Sequence, residues 1–312
     1  MAIRVGLIGI GIMGLPMARN LAFGGARPVL HDIDETARTH AAAIEGAELV
    51  ASAALVAEKS DIVLTCLSSE AAVRDVYLGT NGIAAARRHG LIACECSTIS
   101  AEFAQALSTT MACHHVRLLE TPLIGRRAQA AARELYILVA GDAEVLPEIE
   151  PVLALVARAW RYVGPSGTAS RIKLLQNGLG YAAGVAATEI LGLCRDLGVD
   201  PGVFVDIVNE AGGIGGSTYF KEHAADVVHA REAGSGRLYI AAKDMHLLMA
   251  MARASRLPLP VLAETERIFG DAVHSGLASE EYTAIWRILE KRAGRQLFGA
   301  PPDKKNGRGR KT

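Results

Sequence analysis

The sequence predicts an α/β protein in which a doubly wound sheet is followed by an all-α domain. Two observations indicate this class. Short β-branched apolar runs alternate with helical stretches as far as about residue 163, and the runs lie at 3–8, 28–31, 61–66, 91–94, 116–119, 135–140 and 160–163. After the turn-like segment 164–167 the strand patterns stop, and helical patterns follow at 169–197, 201–211, 238–255, 260–275 and 282–293.

The first strand and helix carry a glycine motif. Gly9, Gly11 and Gly14 form a G-x-G-x-x-G between an apolar run that ends at Ile8 and a helical stretch at 12–23. In this context the glycines allow a tight turn, a close approach of the backbone to a pyrophosphate, and close packing of helix on strand. The free N–H groups of the helix N-terminus then bind the phosphates. The motif therefore predicts a Rossmann-like, dinucleotide-binding domain with cofactor contacts from Gly9, Ile10, Gly11, Ile12, Met13 and Gly14.

Asp32 directly follows the second apolar run, 28–31. An acidic residue at the tip of this strand accepts hydrogen bonds from a ribose 2′-hydroxyl and repels a 2′-phosphate. Positions 31–33 contain no arginine, so NAD is the favoured cofactor, with NADP still open because Arg38 lies one turn further on. Alternatively, Asp32 caps the helix that starts near Glu35, although Asp34 is equally suited to that role.

Composition narrows the classes of function. The 33 basic and 33 acidic side chains balance, which argues against nucleic acid or an anionic membrane as the main partner. We find no signal peptide and no long uncharged apolar run, so we expect no membrane span and a cytoplasmic protein. The cysteines have no metal-type spacing, so we expect no metal site and buried free thiols at Cys66, Cys94, Cys96, Cys113 and Cys194.

We predict three parts along the chain: a dinucleotide-binding domain over 1–164, an all-helical substrate and dimerisation domain over 165–298, and a basic disordered tail over 299–312. The tail has the charge to touch nucleic acid, but a solubilising terminus is the favoured interpretation. The helix at 172–197 has more apolar surface than one domain is expected to bury, which predicts a homodimer or homotetramer.

The start of the helical domain contains two candidate catalytic residues. Lys173 and Asn177 are four residues apart and share a helix face with the apolar residues Ile172, Leu175 and Leu179. An ammonium group in apolar surroundings loses its proton more readily than in water, as a general acid/base requires. The amide one turn away can orient a hydroxyl or carboxylate. Alternatively, Lys173 reaches solvent and Asn177 bonds to backbone.

Three segments together resemble the β-hydroxyacid dehydrogenase family, the group of 3-hydroxyisobutyrate dehydrogenase and tartronate semialdehyde reductase. They are GLIGIGIMGLPMARNL near the N-terminus, GPSGTASRIKLLQN at the predicted boundary, and Lys243-Asp244. The resemblance extends from residue 3 to about 293. It implies an oxidoreductase that transfers a hydride between NAD(H) and a small anionic substrate, a β-hydroxy acid or its semialdehyde.

The resemblance also implies roles for individual residues. Lys173 matches the general acid/base. Substrate contacts are implied at Asn177, Ser97, Gly125 and Arg126, and further cofactor contacts at Leu67, Ser68, Thr98 and Lys243.

The substrate loop departs from the family pattern, Asp-x-Pro-Val-Ser-Gly-Gly. Residues 120–126 read Glu-Thr-Pro-Leu-Ile-Gly-Arg, so Ile124 replaces the serine and Arg126 replaces the second glycine. The usual small hydroxy acids are therefore less favoured, and the Arg126 guanidinium suits a carboxylate, sulfonate or phosphonate. Alternatively, Arg126 and Arg127 are exposed at a helix N-terminus and contact no ligand.

Two further functions stay open at this point. The first is imine reduction on the same scaffold, against which Lys173 and Asp32 argue, since such reductases generally replace the lysine and prefer NADP. The second is a non-catalytic NAD(P)-binding interaction protein with a decayed substrate loop, against which Lys173 and Asn177 argue. The glycine-rich segment 211–217 is expected to be a loop, with Ser217 as a possible substrate contact.

Overall fold

The computed structural model describes residues 3–212, 215–231 and 236–299, and the chain divides into two compact units, 1–176 and 177–312. The strands of the first unit are β1 (Val5–Ile8), β2 (Val29–His31), β3 (Glu48–Leu49), β4 (Ile62–Thr65), β5 (Ile92–Glu95), β6 (Arg117–Glu120), β7 (Leu123–Ile124), β8 (Leu135–Ala140) and β9 (Ala157–Gly164). Its helices are α1 (Gly14–Phe23), α2 (Glu35–Ala42), α3 (Ala53–Lys59), α4 (Glu70–Leu78), α5 (Ala101–Cys113), α6 (Arg127–Ala131), α7 (Leu146–Val156) and the start of α8 (Thr168–Asp196).

The sheet confirms the doubly wound class. Its order is β3-β2-β1-β4-β5-β6-β8-β7, and the six strands from β3 to β6 are parallel. The chain reverses its winding direction between β1 and β4, and ligands of such sheets bind outside the carboxyl ends of the strands at this point. Further along, β8 runs antiparallel to β6 and β7, and β9 pairs with β8 in parallel. The sheet is therefore mixed rather than wholly parallel, since the short connection from β6 to β8 contains no crossover helix long enough to cover a face.

Successive apolar side chains of the parallel strands point to opposite faces of the sheet, so a buried core lies on each face. Ile62 and Leu64 of β4 join one buried cluster, and Val63 between them joins the other. Ile92 and Ala93 of β5 divide in the same way. Because successive side chains of a strand point to opposite faces, strands with apolar residues throughout are covered by helices on both sides.

Serine side chains begin several helices. Ser100 accepts a hydrogen bond from the Phe103 N–H at the start of α5, and Ser52 does the same for Leu55 at the start of α3. The predicted alternation missed β3 and β7, which have only two residues each, and it placed the last strand at 160–163, although β9 begins at Ala157. Strands this short leave no periodic pattern in a sequence.

The second unit is helical in its described part. After α8 it contains α9 (Pro201–Ala211), α10 (Thr218–Val228), α11 (Leu238–Ser255), α12 (Pro260–Ala272) and α13 (Trp286–Ala293). Helix α10 was not among the predicted helices, although Ser217 caps it and Phe220, Ala224 and Val227 form its buried face at helical spacing. The predicted helix at 282–293 begins as a 3₁₀ turn and becomes α-helical only at Trp286.

Two further expectations need comment. The described cysteines are free thiols, but Cys113 is exposed and Cys66 only half-buried, so the expected burial of all five is wrong. Cys113 is the last residue of α5 and lies off the helix face that Ala104, Leu107 and Met111 bury. The predicted tail beyond Gly299 lies outside the described residues, as do positions 213 and 214. Within the described ranges, no helix is both long and apolar enough to cross a membrane.

Candidate active site

The glycine turn between β1 and α1 has the three properties that the motif requires. Gly9 has φ +89°, and a Cβ there would lie 2.2 Å from the Cys66 carbonyl oxygen. A Cβ on Gly14 would lie 1.9 Å from the Gly9 carbonyl oxygen, so α1 packs against the strand end at a distance that only glycine permits. At Gly11 a Cβ would meet no heavy atom within 4 Å, and the residue is exposed. The turn is therefore closed on the protein side and open where a pyrophosphate approaches.

Asp32 holds this turn against the end of β2. Its Oδ2 accepts a hydrogen bond from the Ile10 N–H at 2.6 Å, and its Oδ1 accepts one from the Asp34 N–H at 2.9 Å. The Asp34 side chain caps α2 by accepting from the Ala37 N–H at 2.9 Å. The alternative in which Asp32 caps this helix is therefore excluded, and its half-buried carboxylate lies beside the glycine turn.

The loops that follow β4 and β5 are joined by a hydrogen bond. The Leu67 N–H donates to Ser97 Oγ at 2.8 Å, and the Ser97 N–H donates to Glu95 Oε1 at 2.7 Å. A Cβ on Gly9 would lie 3.0 Å from a methyl group of Leu67, so the same loop also adjoins the glycine turn. Ser68 is exposed and Thr98 half-buried at the ends of these loops. The structure thus brings the predicted glycine turn, Asp32, Leu67 and Ser97 to one edge of the sheet.

Glu120, at the end of β6, binds the start of α8. Its buried carboxylate accepts hydrogen bonds from Ser166 Oγ at 2.8 Å, from the Ser170 N–H at 3.0 Å and from Ser170 Oγ at 2.7 Å. The Gly167 N–H donates to the same carboxylate. A carboxylate at this position satisfies N–H groups that helix geometry leaves unpaired. Lys173 lies half-buried three residues past Ser170 on this helix.

The predicted substrate loop contains both half-buried and exposed residues. Ile124 packs against the apolar cluster of Leu138, Ala140 and Ala169. Gly125 is exposed at φ +133°, and Arg126 is half-buried at the N-cap of α6, where its N–H donates to Gln129 Oε1 at 3.1 Å. Arg127 is exposed. The exposure expected in the alternative interpretation is therefore found for Arg127 but not for Arg126, and ligand contact by either arginine stays a prediction.

In the second unit, Asp244 organises two of the predicted residues. This carboxylate is 2% exposed, and its Oδ2 accepts hydrogen bonds from Asn177 Nδ2 at 2.7 Å and the Tyr181 hydroxyl at 3.3 Å. Its Oδ1 lies 3.1 Å from Lys243 Nζ. A Cβ on Gly178 would lie 2.1 Å from a methyl group of Leu248, so α8 and α11 approach closely here. The arrangement fixes the orientation of the Asn177 amide.

Ser217 and the face around Lys173 differ from expectation. The Ser217 side chain accepts a hydrogen bond from the Phe220 N–H at 3.0 Å and so caps α10.

The apolar residues next to Lys173 are not uniformly buried. Leu175 is 57% and Leu179 75% exposed, whereas Ile172 packs against the first unit's core.

Glu95 was not among the predicted site residues, and the hydrogen bonds of Glu120 were not predicted. Each is an acidic residue at the carboxyl end of an apolar strand, and the register aligns Thr65, Glu95 and Glu120 across β4, β5 and β6. That signal was present in the sequence. Among the residues that the structure describes, no three His, Cys, Asp or Glu side chains are grouped to hold a metal ion.

Comparisons with known proteins agree with this geometry. Residues 4–164 match the NAD-binding domain of 6-phosphogluconate dehydrogenase, and residues 167–289 match the NAD-binding domain of NADP-dependent 3-hydroxyisobutyrate dehydrogenase. The chain is 31% identical to an uncharacterised oxidoreductase of Synechocystis sp., over 84% of this chain and 90% of that protein. It is 29% identical to L-threonate dehydrogenase of Cupriavidus necator, over 93% and 97% of the two chains.

A solved structure extends the similarity to the whole fold. The 3-hydroxyisobutyrate dehydrogenase of Salmonella typhimurium superposes with a TM-score of 0.84 at 27% identity, over 92% of this chain and 100% of that chain. A doubly wound domain with this glycine turn, followed by a helical domain of this type, defines an NAD(P)-dependent oxidoreductase. The chain belongs to the β-hydroxyacid dehydrogenase family, the group of 3-hydroxyisobutyrate dehydrogenase.

Proposed function

We propose that this protein transfers a hydride between NAD(H) and a β-hydroxy acid or its semialdehyde, with Lys173 as the general acid/base. The observation that carries the proposal is the placement of Lys173 on a helix whose first turn is bound by the buried Glu120 carboxylate. A side chain on an element held in this way keeps its position while a proton moves to or from it.

The residues at the sheet edge fit a dinucleotide. The pyrophosphate would lie against the Gly9–Gly14 turn, where Gly11 leaves open space, and the adenosine ribose against Asp32. Asp32 favours NAD over NADP because its negative charge opposes a 2′-phosphate. Leu67, Ser68, Thr98 and Lys243 would complete the cofactor contacts. When bound, the nicotinamide accepts or supplies the hydride.

The remaining chemistry belongs to the chain's own side chains. In oxidation, Lys173 takes the proton of the substrate hydroxyl; in reduction, it returns a proton to the carbonyl oxygen. Asn177, four residues along the same helix, orients the reacting hydroxyl or the carboxylate through an amide that Asp244 holds. Ser97, Gly125 and Arg126 would contact the rest of the substrate.

The substrate class follows from relatives and from the loop. The L-threonate dehydrogenase of Cupriavidus necator and the 3-hydroxyisobutyrate dehydrogenase of Salmonella typhimurium are each named for a hydroxy acid. The half-buried Arg126 adds a guanidinium where the family has glycine, which suits a substrate with an anionic group at that end. Because these relatives are named as dehydrogenases, the two alternatives, imine reduction and a non-catalytic interaction protein, are not favoured.

The proposal includes a homodimer or homotetramer in the cytoplasm. Along α8, α9 and the turn between them large apolar side chains are exposed, including Leu179, Leu193, Leu197, Val203 and Ile207. Burying such side chains is the main favourable term in subunit association. Free thiols at the described cysteines suit a reducing compartment.

The test is a turnover assay with NAD against a panel of β-hydroxy acids, and with NADH against the matching semialdehydes. Lys173→Ala should lower kcat about a hundredfold or more, as expected for a lost general acid/base, with NADH affinity unchanged. Lys59→Ala, which removes an exposed lysine paired with Glu48, serves as the matched control. In the same assay Arg126→Ala should raise KM more than it lowers kcat.

Two results would contradict the proposal. Wild-type rates in Lys173→Ala would remove this lysine from the mechanism. Absence of turnover with every hydroxy acid, in protein that still binds NADH, would instead favour the interaction protein.

A further inference from the structure

We propose that Glu95 is a positioning residue for the cofactor site, because it holds the loops after β4 and β5 in one arrangement through Ser97. The inference rests on the proposed function in one respect: Leu67, Ser68 and Thr98 must contact the cofactor. Glu95 itself ends β5 and is 1% exposed, so its role is to hold Ser97 and Thr65 rather than to react.

A closed ring of hydrogen bonds links Glu95 to both loops. Glu95 Oε1 accepts from the Ser97 N–H at 2.7 Å, and Ser97 Oγ accepts from the Leu67 N–H at 2.8 Å. On the other side, Glu95 Oε2 accepts from Thr65 Oγ1 at 2.7 Å, and Thr65 lies two residues before Leu67 on the same chain segment. The ring therefore closes through the backbone of 65–67. Moving either loop breaks at least one of these bonds.

The ring is braced from outside by a third element. The Tyr77 hydroxyl of α4 lies 2.9 Å from Thr65 Oγ1, and Tyr77 is fully buried. Thr65 Oγ1 also lies 3.4 Å from the Cys94 carbonyl oxygen, a second acceptor. Networks of this kind fix one arrangement of a polar interior because each member has its partners in place.

The carboxylate at the centre of the ring is the group whose charge can change. Burial raises the pKa of Glu95 to about 7, although hydrogen bonds from Ser97, Thr65 and Tyr77 oppose the shift. The facing titratable groups stay neutral there: burial raises the pKa of Cys66 and Cys94 to about 12, and the pKa values of Tyr77 and Cys96 well above their usual range. The remaining neighbour is Glu120, its register partner on β6, which is bound at α8.

Ionisation of Glu95 strengthens the link to Ser97. An N–H donating to a carboxylate forms a stronger bond than one donating to a neutral carboxyl group, by about a factor of two in energy. Above pH 7 the ring is therefore tighter than below it. Cofactor binding that depends on the two loops should weaken as the pH falls through about 7.

The experiment is NADH titration by fluorescence from pH 5.5 to 8.5. Wild type should bind NADH about fivefold more weakly at the acid end than at the basic end, the equivalent of one weakened hydrogen bond. Glu95→Gln keeps the shape and one acceptor but cannot ionise, so its affinity should lack this inflection. Glu58→Gln, which neutralises an exposed glutamate of α3, is the matched control and should follow wild type.

A second variant keeps the test independent of Glu95 itself. Thr65→Val removes a donor to the carboxylate, which raises the pKa of Glu95 further and should move the inflection to higher pH. A purely structural role would shift the affinity of this variant without moving the inflection. Glu95→Ala should weaken NADH binding at every pH, and Glu95→Gln should recover part of the lost affinity.

The outcomes separate the two proposals. If wild type fails to bind NADH at any pH, the proposed function and this role of Glu95 are both overturned. If wild type binds NADH and Glu95→Gln keeps the wild-type inflection, only the positioning role is overturned. An unmoved inflection in Thr65→Val would overturn it as well.

Discussion

Asp32 shows how one side chain can serve both the fold and the cofactor site. Its two carboxylate oxygens accept hydrogen bonds from the N–H groups of Ile10 and Asp34, so the side chain connects the end of β2 with the glycine turn. The same bonds hold its negative charge where the sequence pattern predicts the ribose. The relative affinity for NADH and NADPH should therefore depend on the charge at position 32 and on which side chain stands there.

Asp32→Arg should reverse the cofactor preference. Wild type should bind NADH more tightly than NADPH; the arginine variant should bind NADPH more tightly, because a repulsive charge is replaced by a partner for the phosphate. Some affinity for NADH will be lost as well, since the two hydrogen bonds to Asp32 disappear. Fluorescence titration with both cofactors measures the change.

Asp32→Asn is the matched control for charge alone. It should narrow the preference for NADH without reversing it, because it removes repulsion but supplies no cation. Equal or tighter NADPH binding by wild type would contradict the assignment of Asp32.

Helix α8 shows how an element is held in place by residues far along the chain. Gly167 directly precedes the helix and Ser170 lies in its first turn, and their N–H groups donate to Glu120, which lies 47 and 50 positions earlier. Further along, Gly178 lets the helix approach Leu248 of α11. The position of Lys173 and the orientation of Asn177 thus depend on different neighbours of one helix.

Glu120→Ala should therefore affect both stability and catalysis. Removing the acceptor leaves buried N–H and hydroxyl groups unpaired, at a cost of about 1–3 kcal/mol for each unsatisfied group, so unfolding free energy should fall by about that amount or more. The kcat value should fall too, because the helix start that carries Lys173 loosens. Urea denaturation and steady-state kinetics measure the two effects.

Glu120→Gln should have an unfolding free energy and a kcat between those of wild type and Glu120→Ala, because one acceptor oxygen remains. Glu134→Ala removes an exposed glutamate in the same unit and should change neither quantity. If Glu120→Ala matched this control, the helix start would not depend on Glu120.

On the scale of the whole molecule, self-association is the property that the exposed residues of α8 and α9 predict. Leu179 on α8 and Leu197 in the turn directly after it are 75% and 70% exposed in the single chain, an unusual state for leucines. Light scattering at micromolar concentration should give at least a dimer mass. Leu197→Lys should shift the protein toward monomer, because it would place a charge in an apolar interface.

Ile33→Lys is the control for this experiment, since Ile33 is 93% exposed but lies in the first unit. Its mass should equal that of wild type. A monomeric wild-type protein would refute the predicted dimer or tetramer. The predicted domain boundary at residue 164 stays a prediction; the two compact units divide at residue 176, inside α8.

Short-range patterns were sufficient to predict much of this protein from its sequence. The glycine turn and the alternation of strands and helices depend on residues within a few positions of one another, so backbone sterics and side-chain periodicity express them directly. The same locality explains the errors: two-residue strands such as β3 and β7 have no period, and an antiparallel β8 looks like any apolar run.

Only the tertiary structure decided which polar side chains meet. Glu95 reaches Thr65 across 30 positions, Glu120 reaches Ser170 across 50, and Asn177 reaches Asp244 across 67. Each bond forms because the sheet order or a helix crossing brings distant segments together, and no local pattern records such a partner. The sequence alone determined that a dinucleotide-binding turn and a lysine-bearing helix would form. Long-range packing determined which buried carboxylates hold them, because a buried charge is stable only where the fold supplies its donors.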